Sequence, residues 1–178
     1  MNCSIWLKIP RLDLRVLIAG FCIAAIAPLA AAQRSPKREP SSAYQRGLQA
    51  IRTGDVQQAQ SEFEQAIRAN PRDAGAHSAL GWVLLVRNEP DAAIQHLHAA
   101  LRLKPLLAQA HSYLGEALAQ KNLPEEAITE FRTAIKLAPS NADAHRGLAR
   151  TLAAQQHLDD AIVEMRQATR GPTPGRPA

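Results

Sequence analysis

Residues 108–141 read AQAHSYLGEALAQKNLPEEAITEFRTAIKLAPSN, and this stretch decides the fold. It opens as a first helix carrying Leu114-Gly115, breaks at Lys121-Asn122-Leu123-Pro124, and resumes with Ala127, Ile128, Phe131, Ala134 and Ile135 before Pro139. Asn and Pro are turn formers, and apolar residues at helical spacing define a second helix. Proline lacks a backbone donor and clashes with the preceding turn, so Pro139 closes the unit. Working outward, Pro71, Pro105 and Pro139 stand thirty-four residues apart, as do Ala59, Ala93, Ala127 and Ala161, and again Ala66, Ala100, Ala134 and Ala168. A fixed period with small residues and a closing proline is the pattern of stacked antiparallel helix pairs. The units run 40–73, 74–107, 108–141 and 142 to about 171. Their internal turns fall at Thr53-Gly54-Asp55, Arg87-Asn88-Glu89-Pro90, Lys121-Asn122-Leu123-Pro124 and Gln155-Gln156-His157.

Gly47, Gly81, Gly115 and Ala149 hold one small place of the unit. A glycine inside a helix costs about 1 kcal/mol relative to alanine, so its recurrence predicts close helix approach. At the ends the pattern turns polar. Arg46 stands where Leu80, Leu114 and Leu148 stand, and Thr169 and Gly171 replace the apolar residues of earlier units, as a solenoid requires where no neighbour covers it.

With these places together, the chain resembles the tetratricopeptide repeat family: the pairs Leu80-Gly81, Leu114-Gly115 and Leu148-Ala149, the alanines, then Phe63, Leu97, Phe131 and Met165, then the proline. The resemblance implies an all-α, right-handed superhelical solenoid of antiparallel helix pairs with four repeats over residues 43–170. It also implies that the fifth and ninth places of each unit look into a concave groove. These places hold Tyr44, Ser78, Ser112 and Arg146, and Leu48, Trp82, Glu116 and Arg150. The expected groove is apolar at Tyr44, Leu48, Trp82 and Leu85, polar at Ser112, Tyr113, Glu116 and Gln120, and basic at Arg146 and Arg150. Trp, Tyr and Arg dominate binding energy at interfaces, so a protein or peptide partner is expected, its apolar part against Trp82 and its acidic part against the arginines. The alternative is that Trp82 fills a gap between helices and the arginines only solvate the end.

The family's carboxylate clamp for chaperone tails wants Lys, Asn and Arg where this chain has Tyr44, Leu48, Ala79, Gln109 and Tyr113, so that mode is not expected. Many family members close with an extra solvating helix, which this sequence lacks, so self-association, or docking through the last helix as an assembly subunit of an envelope complex, is a second expectation. RNA binding is a third and weaker one, because a modest positive excess without a basic stripe is no nucleic-acid footprint.

Ahead of the repeats, Lys8, Arg11 and Arg15 precede an apolar run from Val16 to Leu29 and the small residues Ala30-Ala31-Ala32. Residues 1–32 thus read as an export signal, with an uncleaved membrane tether through residues 14–32 as the alternative. Either places the repeats on the periplasmic or extracellular side. Residues 33–42 read as a polar linker and 171–178 as a frayed tail. Cys3 and Cys22 both lie in the leader, so the cleaved chain has no thiol for catalysis, disulfide or metal. The formal charge is +5, of which the leader supplies two.

His77, His111 and His145 recur with the period, but equivalent places in neighbouring repeats sit about 8–10 Å apart, too far to share a zinc with bonds of about 2 Å. They are expected to pack between helices. His96 and His98 face nearly opposite sides of one helix and form no ligand pair. No phosphate loop, zinc-protease motif or nucleophile elbow is present. The acids Glu125, Glu126, Asp159 and Asp160 begin second helices, where the helix dipole favours them. No cofactor, metal or catalysis is expected.

Overall fold

The structure, a computed structural model, describes residues 42–169. The leader and its membrane-tether alternative, residues 33–41 of the linker, and the tail lie outside the described residues. Ser42, read as the linker's last residue, begins a helix instead.

Among the described residues eight helices follow one another: α1 (Ser42–Thr53), α2 (Val56–Ala69), α3 (Ala74–Val86), α4 (Pro90–Leu103), α5 (Ala108–Gln120), α6 (Pro124–Leu137), α7 (Ala142–Ala154) and α8 (Leu158–Thr169). Each helix packs on the next, and the first helices of neighbouring repeats also touch, α3 on α5 and α5 on α7. The result is an all-α solenoid of four helix pairs with first helices forming one layer and second helices the other.

The turns within the pairs are built alike. Gly54, Asn88, Asn122 and Gln156 take a positive φ between 60° and 80°. In the second repeat the Asn88 amide donates to the Leu85 carbonyl and the Glu89 amide to the Leu84 carbonyl, at 3.0 and 2.9 Å. The same two bonds recur at the other three turns and form the Schellman closure of a helix. Second helices α4 and α6 then start on a proline, whose missing amide is no loss at a first helical position. First helices start on side-chain caps in two repeats: Asp73 accepts from the amides of Gly75 and Ala76, and Asn141 from that of Ala144.

The small places have the packing reason that the sequence predicts. A Cβ on Gly47 would lie 2.6 Å from the Phe63 ring, one on Gly81 2.7 Å from Leu97, and one on Gly115 2.9 Å from the Phe131 ring. Phe63, Leu97 and Phe131 are fully buried there. Gly147, which the period does not single out, comes closer still: its Cβ would stand 2.3 Å from the same Phe131 ring. Phe131 is therefore clasped between its own repeat and the next one.

At the two ends this packing changes. Arg46, in the leucine place, spans α1 to α2, where its guanidinium meets the Glu62 carboxylate at 2.9 and 2.7 Å and donates to Gln65 at 2.6 Å. The hydrogen bond from Arg46 holds the Glu62 carboxyl below the usual carboxylate range. At the other end, Met165 occupies the Phe131 place and is 40% exposed, because no further first helix lies against α8 among the described residues.

Gly147→Ala gains helix propensity yet pushes a methyl group into the Phe131 ring. Overpacking of a close contact costs about 1–3 kcal/mol. Urea unfolding of the full chain is expected to show a loss in that range, with part of it recovered in Gly147→Ala/Phe131→Leu.

Candidate functional site

The groove opens along the first-helix layer, where the fifth and ninth places of every unit line it. Two adjoining cavities open there. The larger, ≈ 440 Å³, is lined by Tyr44, Leu48, Ile51, Trp82, Leu107 and Tyr113, among others. The smaller, ≈ 280 Å³, takes Trp82 and Tyr113 as well, with Leu85, Glu116, Gln120, Arg146 and Arg150. All nine groove residues expected from the sequence thus line one cavity or both. Trp82 and Tyr113, contributed by α3 and α5, line both cavities as an aromatic partition that Asp143 shares.

Exposure and charge differ from expectation in three respects. Leu85 is only 6% exposed; it belongs to the core and offers the smaller cavity an edge. Ser78 and Ser112 are buried as well, because at the fifth place of the middle repeats the neighbouring first helix lies close enough to cover a small side chain. The end expected to be basic is internally neutralised. Arg150 pairs with Glu116, and Arg146 pairs with Asp143 at 3.0 Å. The first pairing follows from the period itself: Glu116 and Arg150 hold the same place in adjacent repeats, so stacking sets them side by side.

Asp143 lines both cavities, and Ile51 and Leu107 line the larger one, although the sequence did not single them out. Asp143 had a signal, standing three residues before Arg146 on a helical face. The others had none, since their places are set by how neighbouring units turn. The two phenols are held as neutral groups. Burial pushes Tyr44 up, with Asp73 adding to it; burial also pushes Tyr113 up, against a hydrogen bond to Gln109. Tyr44 leans on the buried Phe63 with ring centroids 5.6 Å apart, which ties the groove wall to the core.

The periodic histidines line neither cavity. They pin repeats together. His77, His111 and His145 meet the carbonyls of Pro71, Pro105 and Pro139 through Nε2, at 3.1, 3.0 and 3.1 Å. Their Nδ1 atoms reach the second helix of their own repeat, at His96, Glu130 and Glu164. Each therefore bridges the proline that ends one unit to the helix that completes the next. Among the described residues no group of three or more His, Cys, Asp or Glu is placed to hold a metal, and no helix is long and apolar enough to cross a membrane.

Comparison with known proteins gives the same architecture. The sequence model of the tetratricopeptide repeat family matches residues 44–106, 84–139 and 114–177. Residues 41 to the end of MamA from Desulfovibrio magneticus RS-1 are 25% identical with a TM-score of 0.63, covering 74% of this chain and 75% of that one. TTC0263, a thermophilic TPR protein of Thermus thermophilus, is 21% identical with a TM-score of 0.68, covering 73% of each chain. The O-GlcNAc transferase of Thermobaculum terrenum is 27% identical with a TM-score of 0.60, over 62% of this chain and only 21% of that protein. No curated protein matches.

The Glu116 and Arg150 side chains keep 31% and 58% of their surface exposed, so their pairing is worth little. A double-mutant cycle of Glu116→Ala and Arg150→Ala is expected to give a coupling below about 1 kcal/mol. The coupling should shrink further in 1 M salt, where the screening length is about 3 Å.

Proposed function

The chain belongs to the tetratricopeptide repeat family, and from that premise we propose that it is a non-catalytic interaction module whose concave groove captures a segment of a partner protein. The observation that carries this reading is the Trp82 and Tyr113 partition between two adjoining cavities. An aromatic wall with a pocket on either side can seat two neighbouring side chains of a peptide or helix, and Trp and Tyr are the residues on which such binding most often depends. The larger cavity suits an apolar side chain. Beside the smaller one, the Glu116–Arg150 and Asp143–Arg146 pairs suit a polar or mixed-charge segment more than a wholly acidic one, since an acid has to displace a carboxylate already in place.

The leader read in residues 1–32 supports a module on the periplasmic or extracellular side, cleaved or tethered through residues 14–32. Paired groove charges count against nucleic acid, which needs unpaired cations along its phosphates.

A second reading, docking into an assembly through the end of the solenoid, is favoured by a specific observation. Leu158, Ile162, Val163 and Met165 of α8 are exposed, and Ile162 is 51% exposed where the equivalent Ile128 of α6 is 5% exposed.

Crosslinked affinity purification of the full chain separates the two. Trp82→Ala is expected to weaken partner capture by roughly 30-fold, the loss of an interface hot spot of about 2 kcal/mol. Ile162→Glu is expected to leave capture unchanged. The reverse result, a folded Trp82→Ala protein with full capture and an Ile162→Glu protein with none, would move the binding surface to α8.

A further inference from the structure

At the joint between α3 and α4, two histidines meet where the following repeats set a histidine against a carboxylate. The Nε2 atom of His77 lies 3.1 Å from the Pro71 carbonyl oxygen. A carbonyl only accepts, so His77 carries its proton on Nε2 and, when neutral, offers a bare Nδ1. That Nδ1 lies 3.2 Å from Nδ1 of His96. The ring centroids are 5.4 Å apart, close to this gap plus one ring radius at each end, and the planes differ by 30°. The rings therefore meet nose to nose rather than face to face, with the His96 N–H aimed at the His77 lone pair. Among the described residues no third His, Cys, Asp or Glu joins the pair to hold a zinc.

We propose that His77 and His96 form a proton-operated joint: the proton shared between their Nδ1 atoms holds α3 to α4, and uptake of two further protons in mildly acid solution, one on each ring, opens it. The doubly protonated pair would set two N–H donors and two positive charges across the same 3.2 Å gap, with no acceptor between them. The other repeats respond differently. Both nitrogens of His111 and of His145 face oxygen acceptors, a proline carbonyl on one side and Glu130 or Glu164 on the other, so a ring with both protons is satisfied there.

The surroundings give the direction. Burial pushes His96 below the ordinary histidine value, the charge of His77 adds to this, and Glu64 on α2 works against it. Glu64 is itself engaged by the Gln60 amide at 2.9 Å and by Arg68 at 3.7 Å. Among the described residues, α5 brings no charge to this balance. With the folded-state value depressed, the unfolded chain takes up the proton first. Stability is therefore full above the unfolded value of about 6.5 and is lost as pH falls from there toward the folded value.

Two measurements on the full chain test the joint. In nitrogen-detected NMR at pH 7.5, His77 should be protonated on Nε2 and His96 on Nδ1; His96 bare at Nδ1 would overturn the proposal, and this readout needs no variant. Thermal unfolding at pH 7.5 and 5.5 is then compared between the wild type and His96→Gln, whose amide can donate or accept and so suits either state of His77. The wild-type midpoint should fall by roughly 3 °C or more beyond the fall seen in His96→Gln. Equal falls in the two proteins would also overturn it.

Discussion

The Phe131 ring between Gly115 and Gly147 is the contact on which the groove depends. Neither glycine could carry even a methyl group without moving the ring, so the distance from α6 to both flanking first helices is set by bare backbone. Interiors are packed like crystals and transmit such displacements. The spacing of α5 and α7 in turn decides how far Glu116 stands from Arg150 and how wide the smaller cavity opens. Gly47 against Phe63 and Gly81 against Leu97 repeat the arrangement earlier in the array. A helix that gives up propensity at these places gains the close stacking that lets short helices build one continuous core.

A second layer of pins lies outside that core. The histidines tie each closing proline to the second helix of the following unit, while the Schellman closures fix the turn inside each pair. Together they restrict how one unit can rotate on the next. A groove made by adjacent units is thereby held in one shape, and a preformed surface spends less of its binding energy on ordering itself. Trp82 sits on α3, the same helix that carries His77, so the polar joint and the aromatic partition share one rigid element.

Periodicity made most of this legible. The proline, alanine and small places gave four helix pairs and their turns within a residue or two, because every unit is a copy against which the others can be read; the groove places were implied by the family resemblance. What stayed hidden depends on relations between units. Gly147 lies off the repeating small place, and only the packed Phe131 ring shows why it is a glycine. The burial of Leu85, Ser78 and Ser112 follows from how closely the first helices stack. Arg146 and Arg150 read as a basic patch along the chain, yet Asp143 one turn away and Glu116 one period away cancel them in space. The pairing of His77 with His96, nineteen residues on, likewise needed the helices to be folded back on each other.

Site-specific photocrosslinking in cells expressing the full chain tests the central claim most directly. A photoreactive residue is placed singly at Leu48, Tyr113 or Gln120 in the groove, at Ile162 on α8, and at Arg102 on an outer helix. A partner held in the groove gives the same adduct from the first three positions and none from Ile162 or Arg102. Adducts from Ile162 alone would contradict groove capture and assign binding to the end of the solenoid.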